Sequence, residues 1–180
     1  NIKDTIMKCI GINEKATEQV MFEAYGQDFP YRELKKIISK RYHEKYDDGR
    51  LPMKPFVKEL LEYLKGQGYK MAIASSTKSP TVIMQIKAAN IYEYFDVVIG
   101  GEMVSRSKPN PDIFLKAVED LEANPEDTYV IEDSYNGIRA AYAANLKGIM
   151  VPDLLPPTEE MQEKAVIILN NLGEIIKFLK

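Results

Sequence analysis

The 180-residue chain is poor in the residues that most often announce chemistry by themselves: it has one cysteine, one histidine and no tryptophan. A single thiol, Cys9, excludes an internal disulfide framework and a multi-cysteine metal site, and it fits a reducing, cytoplasmic setting. The one histidine, His43, stands among Arg41, Glu44 and Lys45 on a charged helical stretch, where a solvated side chain is the plain reading. No apolar run is long enough to cross a bilayer. Charge of neither sign dominates: 24 Lys and Arg stand against 27 Asp and Glu, a net charge of −3. That balance leaves no electrostatic footprint for nucleic acid or an anionic membrane surface. With thiol and imidazole chemistry set aside, any reactive site has to be assembled from carboxylates, lysine and hydroxyls.

What is present falls into two parts. Up to about residue 50 the pattern is helical. Asn13 caps a helix with Ala16, Val20 and Tyr25 at helical spacing before Gly26 stops it. A second helix follows Pro30, with Leu34, Ile37, Ile38 and Tyr42 along one face, and ends near Asp47–Gly49. A third runs from about Lys54 to Gly66 on Val57, Leu60, Leu61 and Leu64. Beyond it, short apolar runs alternate with helices. Strands are predicted at 69–75, 95–101, 128–132, 147–151 and 165–169. Helices are predicted from Ser79, as N-cap, to Asn90, from Pro111 to Leu121, from Gly137 to about Ala144, and over 172–179, while 155–161 reads as a rigid surface loop. These strands are apolar throughout rather than at every second residue, which indicates an α/β fold with a parallel sheet covered on both faces. The expected division is a helical part, 1–52, and a βα part, 53–180.

In an open parallel sheet, ligands gather beyond the carboxyl ends of the strands. Ser75, Ser76 and Thr77 follow the first apolar run, Lys108 lies in "SRSKPNPD" after the second, and Glu132 and Asp133 close the third. Each has a bland reading alone: turn chemistry, a solvated loop, a helix cap. Together they can bind a phosphate and a divalent cation. Ser75–Thr77 lies where a helix begins, and free backbone N–H groups there favour an anion. Lys108 supplies a compact positive charge. Glu132 and Asp133 are hard oxygen ligands of the kind magnesium prefers.

These stretches resemble the haloacid dehalogenase superfamily, in its branch of capped phosphatases and β-phosphoglucomutase-like proteins. "MAIASSTK" is similar to the family's second motif, "SKPNPDIF" to the third and "VIEDSYNGIRAA" to the fourth. The resemblance implies a Rossmann-like core closed by a helical cap, and Mg²⁺ as cofactor, held by Asp133 with Glu132 assisting. It implies Ser75 and Lys108 in catalysis, and phosphate or substrate contacts from Ser75, Ser76, Thr77, Lys108, Asn13 and Lys15. The substrate would be a small phosphorylated metabolite.

The family's first motif, Asp-x-Asp, which supplies the nucleophile and the general acid/base, has no match here. The first residue is Asn, and about 30–35 residues of the family pattern, one strand, one loop and one helix, are unmatched. The family places that strand centrally, between those ending at Ser75 and at Glu132. The expectation is therefore that a preceding segment, or a second chain, supplies it, and that these 180 residues alone do not turn over. Where mutases of this branch carry a phosphate-gripping arginine, this chain has Glu14, which favours a phosphatase over a sugar-phosphate mutase. A non-catalytic phosphate-binding domain is the remaining alternative.

Overall fold

The computed structural model describes residues 1–46 and 52–180. The predicted helix end at 47–49 lies outside the described residues. Residues 1–46 hold three helices, α1 (Ile2–Lys8), α2 (Glu14–Tyr25) and α3 (Tyr31–Tyr46). As expected, the Asn13 side chain caps α2 by accepting from the Ala16 N–H, and Gly26, at φ 89°, ends it in a backbone conformation that side chains disfavour. Helix α3 departs from expectation. Its apolar residues Leu34, Ile37 and Ile38 stay 40%, 51% and 67% exposed rather than facing a core.

The rest alternates as its sequence pattern predicts: α4 (Val57–Gly66), β1 (Ala72–Ala74), α5 (Ser79–Ala88), β2 (Val97–Ile99), α6 (Asp112–Asp120), β3 (Tyr129–Glu132), α7 (Tyr135–Ala143), β4 (Lys147–Met150), α8 (Glu159–Lys164), β5 (Ile167–Ile168) and α9 (Leu172–Phe178). Two helices were not anticipated, α1 and α8; the latter starts inside the stretch read as a loop, capped by the Thr158 hydroxyl. Helix α5 begins one residue earlier than read, with Lys78 rather than Ser79 as its N-cap.

All strand pairs are parallel. Ala72, Ile73 and Ala74 pair with Val97, Val98 and Ile99, and Tyr129–Glu132 pairs with Lys147–Met150, which in turn pairs with β5. Alternate strand residues reach opposite faces. On one face, Ala72, Ala74, Ile99 and Val130 pack under Phe114 of α6 and Ala140 and Ala141 of α7. On the other, Ile73 packs with Leu61 of α4 and with Val82 and Ile86 of α5, and Ile149 with Leu60 and with Ile175 of α9. The result is a layer of strands between two layers of helices. Among the described residues no helix is long and apolar enough to cross a membrane.

The sheet is divided. Strands β1 and β2 form one unit and β3, β4 and β5 another, with no pairing between β1 and β3. A cleft of about 560 Å³ separates them, walled by Leu60 and Leu64 of α4 and by Phe114 and Ala117 of α6, with Ala74 and Val130 at its edges. β1 and β3 each turn one edge toward this apolar cleft.

Candidate active site

The carboxyl ends of β1 and β3 flank this cleft, and a lysine joins them. Lys108 is only 6% exposed. Its ammonium donates to the Ala74 carbonyl at 3.1 Å, on the end of β1, and forms an ion pair with Glu132, on the end of β3. It also lies 4.6 Å from the centre of the Phe114 ring. The loop that presents it is braced from both sides. Arg106 pairs with Asp112 at 2.7 Å, and the Asn110 amide donates to the Ser107 carbonyl at 2.9 Å. On the far side of Glu132, the Ser134 hydroxyl donates to its carboxylate at 3.2 Å and accepts from the Gly137 N–H at 3.0 Å, so one side chain orients the carboxylate and caps α7. Gly137 permits this approach, because a Cβ there would overlap the Glu132 carboxyl.

Asp133, the other half of the acidic pair, faces a second cleft of about 490 Å³, which Glu132, Asp153, Lys54 and Asn171 also line. Lys54 and Asp153 form an ion pair there. Desolvation, and after it the Glu132 carboxylate, push the Asp133 carboxyl above the ordinary aspartate range. A nearby cation would relieve both effects. Among the described residues no three acidic, histidine or cysteine side chains converge as a closed metal cage. One free carboxylate beside a second one is nevertheless the donor set magnesium takes, since it keeps water and substrate phosphate as its other ligands. Glu132 is already engaged by Lys108, so of the two carboxylates assigned to metal Asp133 is the more available.

The hydroxyl cluster after β1 is arranged differently from expectation. The Ser75 N–H continues the pairing with β2 by donating to the Ile99 carbonyl at 2.9 Å, and the Ser75 hydroxyl accepts from the Thr77 N–H at 3.1 Å. Its own proton is left to donate. Ser76 turns away and donates to the Gly11 carbonyl at 2.7 Å. The start of α5 is not open to an anion at Ser79, whose N–H and hydroxyl both donate to the Glu102 carboxylate, at 2.9 and 2.5 Å. A carboxylate from the loop after β2 takes the place that free N–H groups were expected to offer.

Residues 10–13 cross this edge as a strap. The Ile10 carbonyl accepts from the Asn136 amide at 2.9 Å, and the Gly11 carbonyl from Ser76. The Asn13 N–H donates to the Ser107 hydroxyl at 2.7 Å, and its amide to the Gly101 carbonyl at 3.3 Å. Gly11 sits at φ +82° against Ser134, where a Cβ would overlap the hydroxyl. Apart from Gly101, the core contacts lie within three residues of a candidate site residue: Ser76 by Ser75, Ser107 by Lys108, Ser134 and Asn136 by Asp133. Asn13 is thus a staple between cap and core, with its polar atoms engaged by protein. Lys15 is exposed on α2. Between them, Glu14 pairs with Lys35 of α3 and, at 3.8 Å, with Lys78 of the core. The Lys35 ammonium above all holds the Glu14 carboxyl below the usual range.

Ser107, Glu102, Asp153 and Gly11 were not singled out from the sequence. Gly11 left a trace, as an isolated glycine directly ahead of a helix cap. The others are ordinary loop residues until the fold brings their strands' ends together.

The sequence model of the haloacid dehalogenase-like hydrolases matches residues 2–151. The phosphorylated carbohydrates phosphatase of Thermotoga maritima is 28% identical over 179 residues, 99% of this chain and 82% of that protein. Protein CbbY of Cereibacter sphaeroides is 32% identical over 134 residues, 73% of this chain and 58% of that protein. The crystal structure of CbbY from Rhodobacter sphaeroides in complex with phosphate superposes with a TM-score of 0.81 at 26% identity, over 97% of this chain and 80% of that one.

Proposed function

The chain belongs to the haloacid dehalogenase-like hydrolase family, and from that premise we propose that it is the greater part of a magnesium-dependent phosphatase acting on a small phosphorylated metabolite. One observation carries the reading. Ser75 and Glu132 lie at the carboxyl ends of two strands that flank one cleft, Lys108 bridges those ends, and Asp133, next to Glu132, faces the second cleft. The relatives named a phosphorylated carbohydrates phosphatase and CbbY support the same class.

In this reading the nucleophile is a carboxylate at the end of a strand lying between β1 and β3, contributed by the same chain or by a second one. Residues 1–180 then bind phosphate without turning over. The carboxylate oxygen attacks phosphorus, and the leaving alkoxide takes a proton from a second carboxyl on that strand. Water, deprotonated by the same group, then cleaves the aspartyl phosphate to inorganic phosphate and restores the carboxylate. Splitting the displacement in two is the gain from covalent catalysis. Ser75, its oxygen fixed by the Thr77 N–H, donates its proton to a phosphoryl oxygen. Lys108 offsets charge between nucleophile and phosphoryl group and holds Glu132 in place through their ion pair. Asp133, with Glu132 beside it, would hold Mg²⁺, which supplies further electrostatic stabilisation when bound.

Phosphate release by the native protein from a panel of phosphorylated metabolites tests this. Release is expected to fall at least about 100-fold in Asp133→Ala and to stop on chelation. Turnover that persists in EDTA overturns the magnesium assignment. Release from no member of the panel leaves a phosphate-binding domain instead.

A further inference from the structure

Resting on the magnesium reading, we infer that the Lys54–Asp153 pair is a cation-sensitive latch. A divalent cation taken by Asp133 competes with the Lys54 ammonium for the Asp153 carboxylate. Loading the site and fastening the stretch that leads into α4 therefore oppose each other.

Position comes first. Asp133, Asp153 and Lys54 line one cleft of about 490 Å³. The loop that carries Asp153 leaves β4 beside the acidic pair. There Glu132 is in register with Met150, and its carbonyl accepts from the Val151 N–H at 2.8 Å. The loop is held again at Pro156, whose carbonyl accepts from the Tyr135 hydroxyl at 2.5 Å. Lys54 comes from a distant part of the chain, three residues ahead of α4. Two residues after it, Phe56 adopts φ 67°, a left-handed conformation that bulky side chains disfavour. The Phe56 ring lies against Gly173 of α9, where a Cβ would come within 3.1 Å of it. Pro55 stiffens the backbone between Lys54 and this anchor. Both partners are thus brought to the cleft by contacts that do not depend on their charges.

Charge comes second. Three carboxylates line the cleft. Glu132 is paired with Lys108 and Asp153 with Lys54, while among the described residues Asp133 has no ion-pair partner. The two pairs differ in how readily they open. The Lys108 side chain is 5% exposed and that of Lys54 60%, so water can replace the second partner at little cost. Desolvation and Glu132 raise the Asp133 carboxyl most, and Asp153 adds to them, so the two aspartates already act on each other. A cation at Asp133 would attract the Asp153 carboxylate, directly or through a water that magnesium keeps, and repel the Lys54 ammonium. Such coupling is reciprocal: as much as the cation weakens the latch, the latch weakens cation binding.

The test is calorimetric titration of magnesium chloride into the native protein, Lys54→Met, Asp153→Asn and the double variant. Lys54→Met is expected to tighten magnesium binding about threefold to fivefold, the scale of an exposed ion pair. In the Asp153→Asn background the same substitution should change affinity less than about 1.5-fold. The reverse direction is read from the rate at which an acylating reagent modifies the Lys54 amine, followed by mass spectrometry. Saturating magnesium should raise that rate at least about twofold in the native protein and leave it unchanged in Asp153→Asn. Equal magnesium affinity in the native protein and Lys54→Met overturns the latch and leaves the cation site at Asp133 intact. So does a gain that survives Asp153→Asn, or a Lys54 rate that magnesium does not change. Absence of magnesium binding in all four proteins overturns the magnesium reading, and the latch with it.

Discussion

Replacing Lys108 by Met removes the ammonium that pairs with Glu132 and leaves a carboxylate beside the apolar cleft. Both side chains are buried, 5% and 10% exposed. The pair therefore belongs with those whose halves cannot be exchanged for water. The exposed Arg106–Asp112 pair, whose arginine is 63% exposed, is by contrast screened by solvent on its open side. Breaking a buried pair by deleting one partner costs about 3–5 kcal/mol. Ser134 still donates to Glu132 in the variant and keeps the cost toward the lower end. Glu132→Gln strands the ammonium instead, but it retains the Ala74 carbonyl and the Phe114 ring, so its cost should be about 2–3 kcal/mol. The double variant has no buried charge and loses the Ala74 bond and the ring contact, about 1–2 kcal/mol together. The cycle then yields a coupling of about 3 kcal/mol or more. Urea unfolding followed by circular dichroism, with the slope unchanged across the four proteins, reads it directly. A coupling below about 1 kcal/mol, or a double variant as unstable as Lys108→Met, would refute the view that this lysine ties β1 to β3 through Glu132.

Two further perturbations probe the strap and the rim. Gly11→Ala places a methyl group on the Ser134 hydroxyl at a positive φ, whereas Gly26→Ala shares the positive φ and meets nothing within 4 Å. Gly26→Ala should cost about 1 kcal/mol, and Gly11→Ala about 2 kcal/mol more, with faster proteolysis within residues 1–46; equal costs would mean that the strap is not seated on Ser134. Glu160 pairs with Arg139 at 2.5 Å, which lowers its pKa. A depressed carboxyl contributes stability above its unfolded pKa of about 4.3 and loses it as pH falls through the lower folded value. Glu160→Gln should therefore be less stable than wild type by about 0.5 kcal/mol at pH 7, discounted for exposure, and equal to it near pH 2; a gap that persists in acid would point to packing instead.

Much of the core was readable because its signals are local. β3 and β4 are continuous apolar runs bounded by polar turns, and α2, α4 and α6 carry caps or apolar stripes at helical spacing. Helix α1 escaped notice because Ile2 and Ile6 are half exposed and Thr5 is its buried residue, so no apolar face marks it. Helix α8 is six residues long behind two prolines, too short for periodicity to register. The stripe on α3 was legible but misleading: Leu34, Ile37 and Ile38 share a face that the described residues do not cover. Spacing identifies a face and cannot supply what packs on it.

The sequence by itself determined the chemistry on offer. Alternating apolar runs specify a parallel sheet, and the residues that follow those runs, Ser75, Lys108, Glu132 and Asp133, put a hydroxyl, an ammonium and two carboxylates at one edge of it. Tertiary structure decided who holds whom. Only folding could show that Lys108 belongs to Glu132 and to the end of β1, that Glu102 occupies the start of α5, and that Asn13 staples the cap. Each of these partners is more than 20 positions away along the chain, and pair energies depend on burial and distance, which no local pattern encodes.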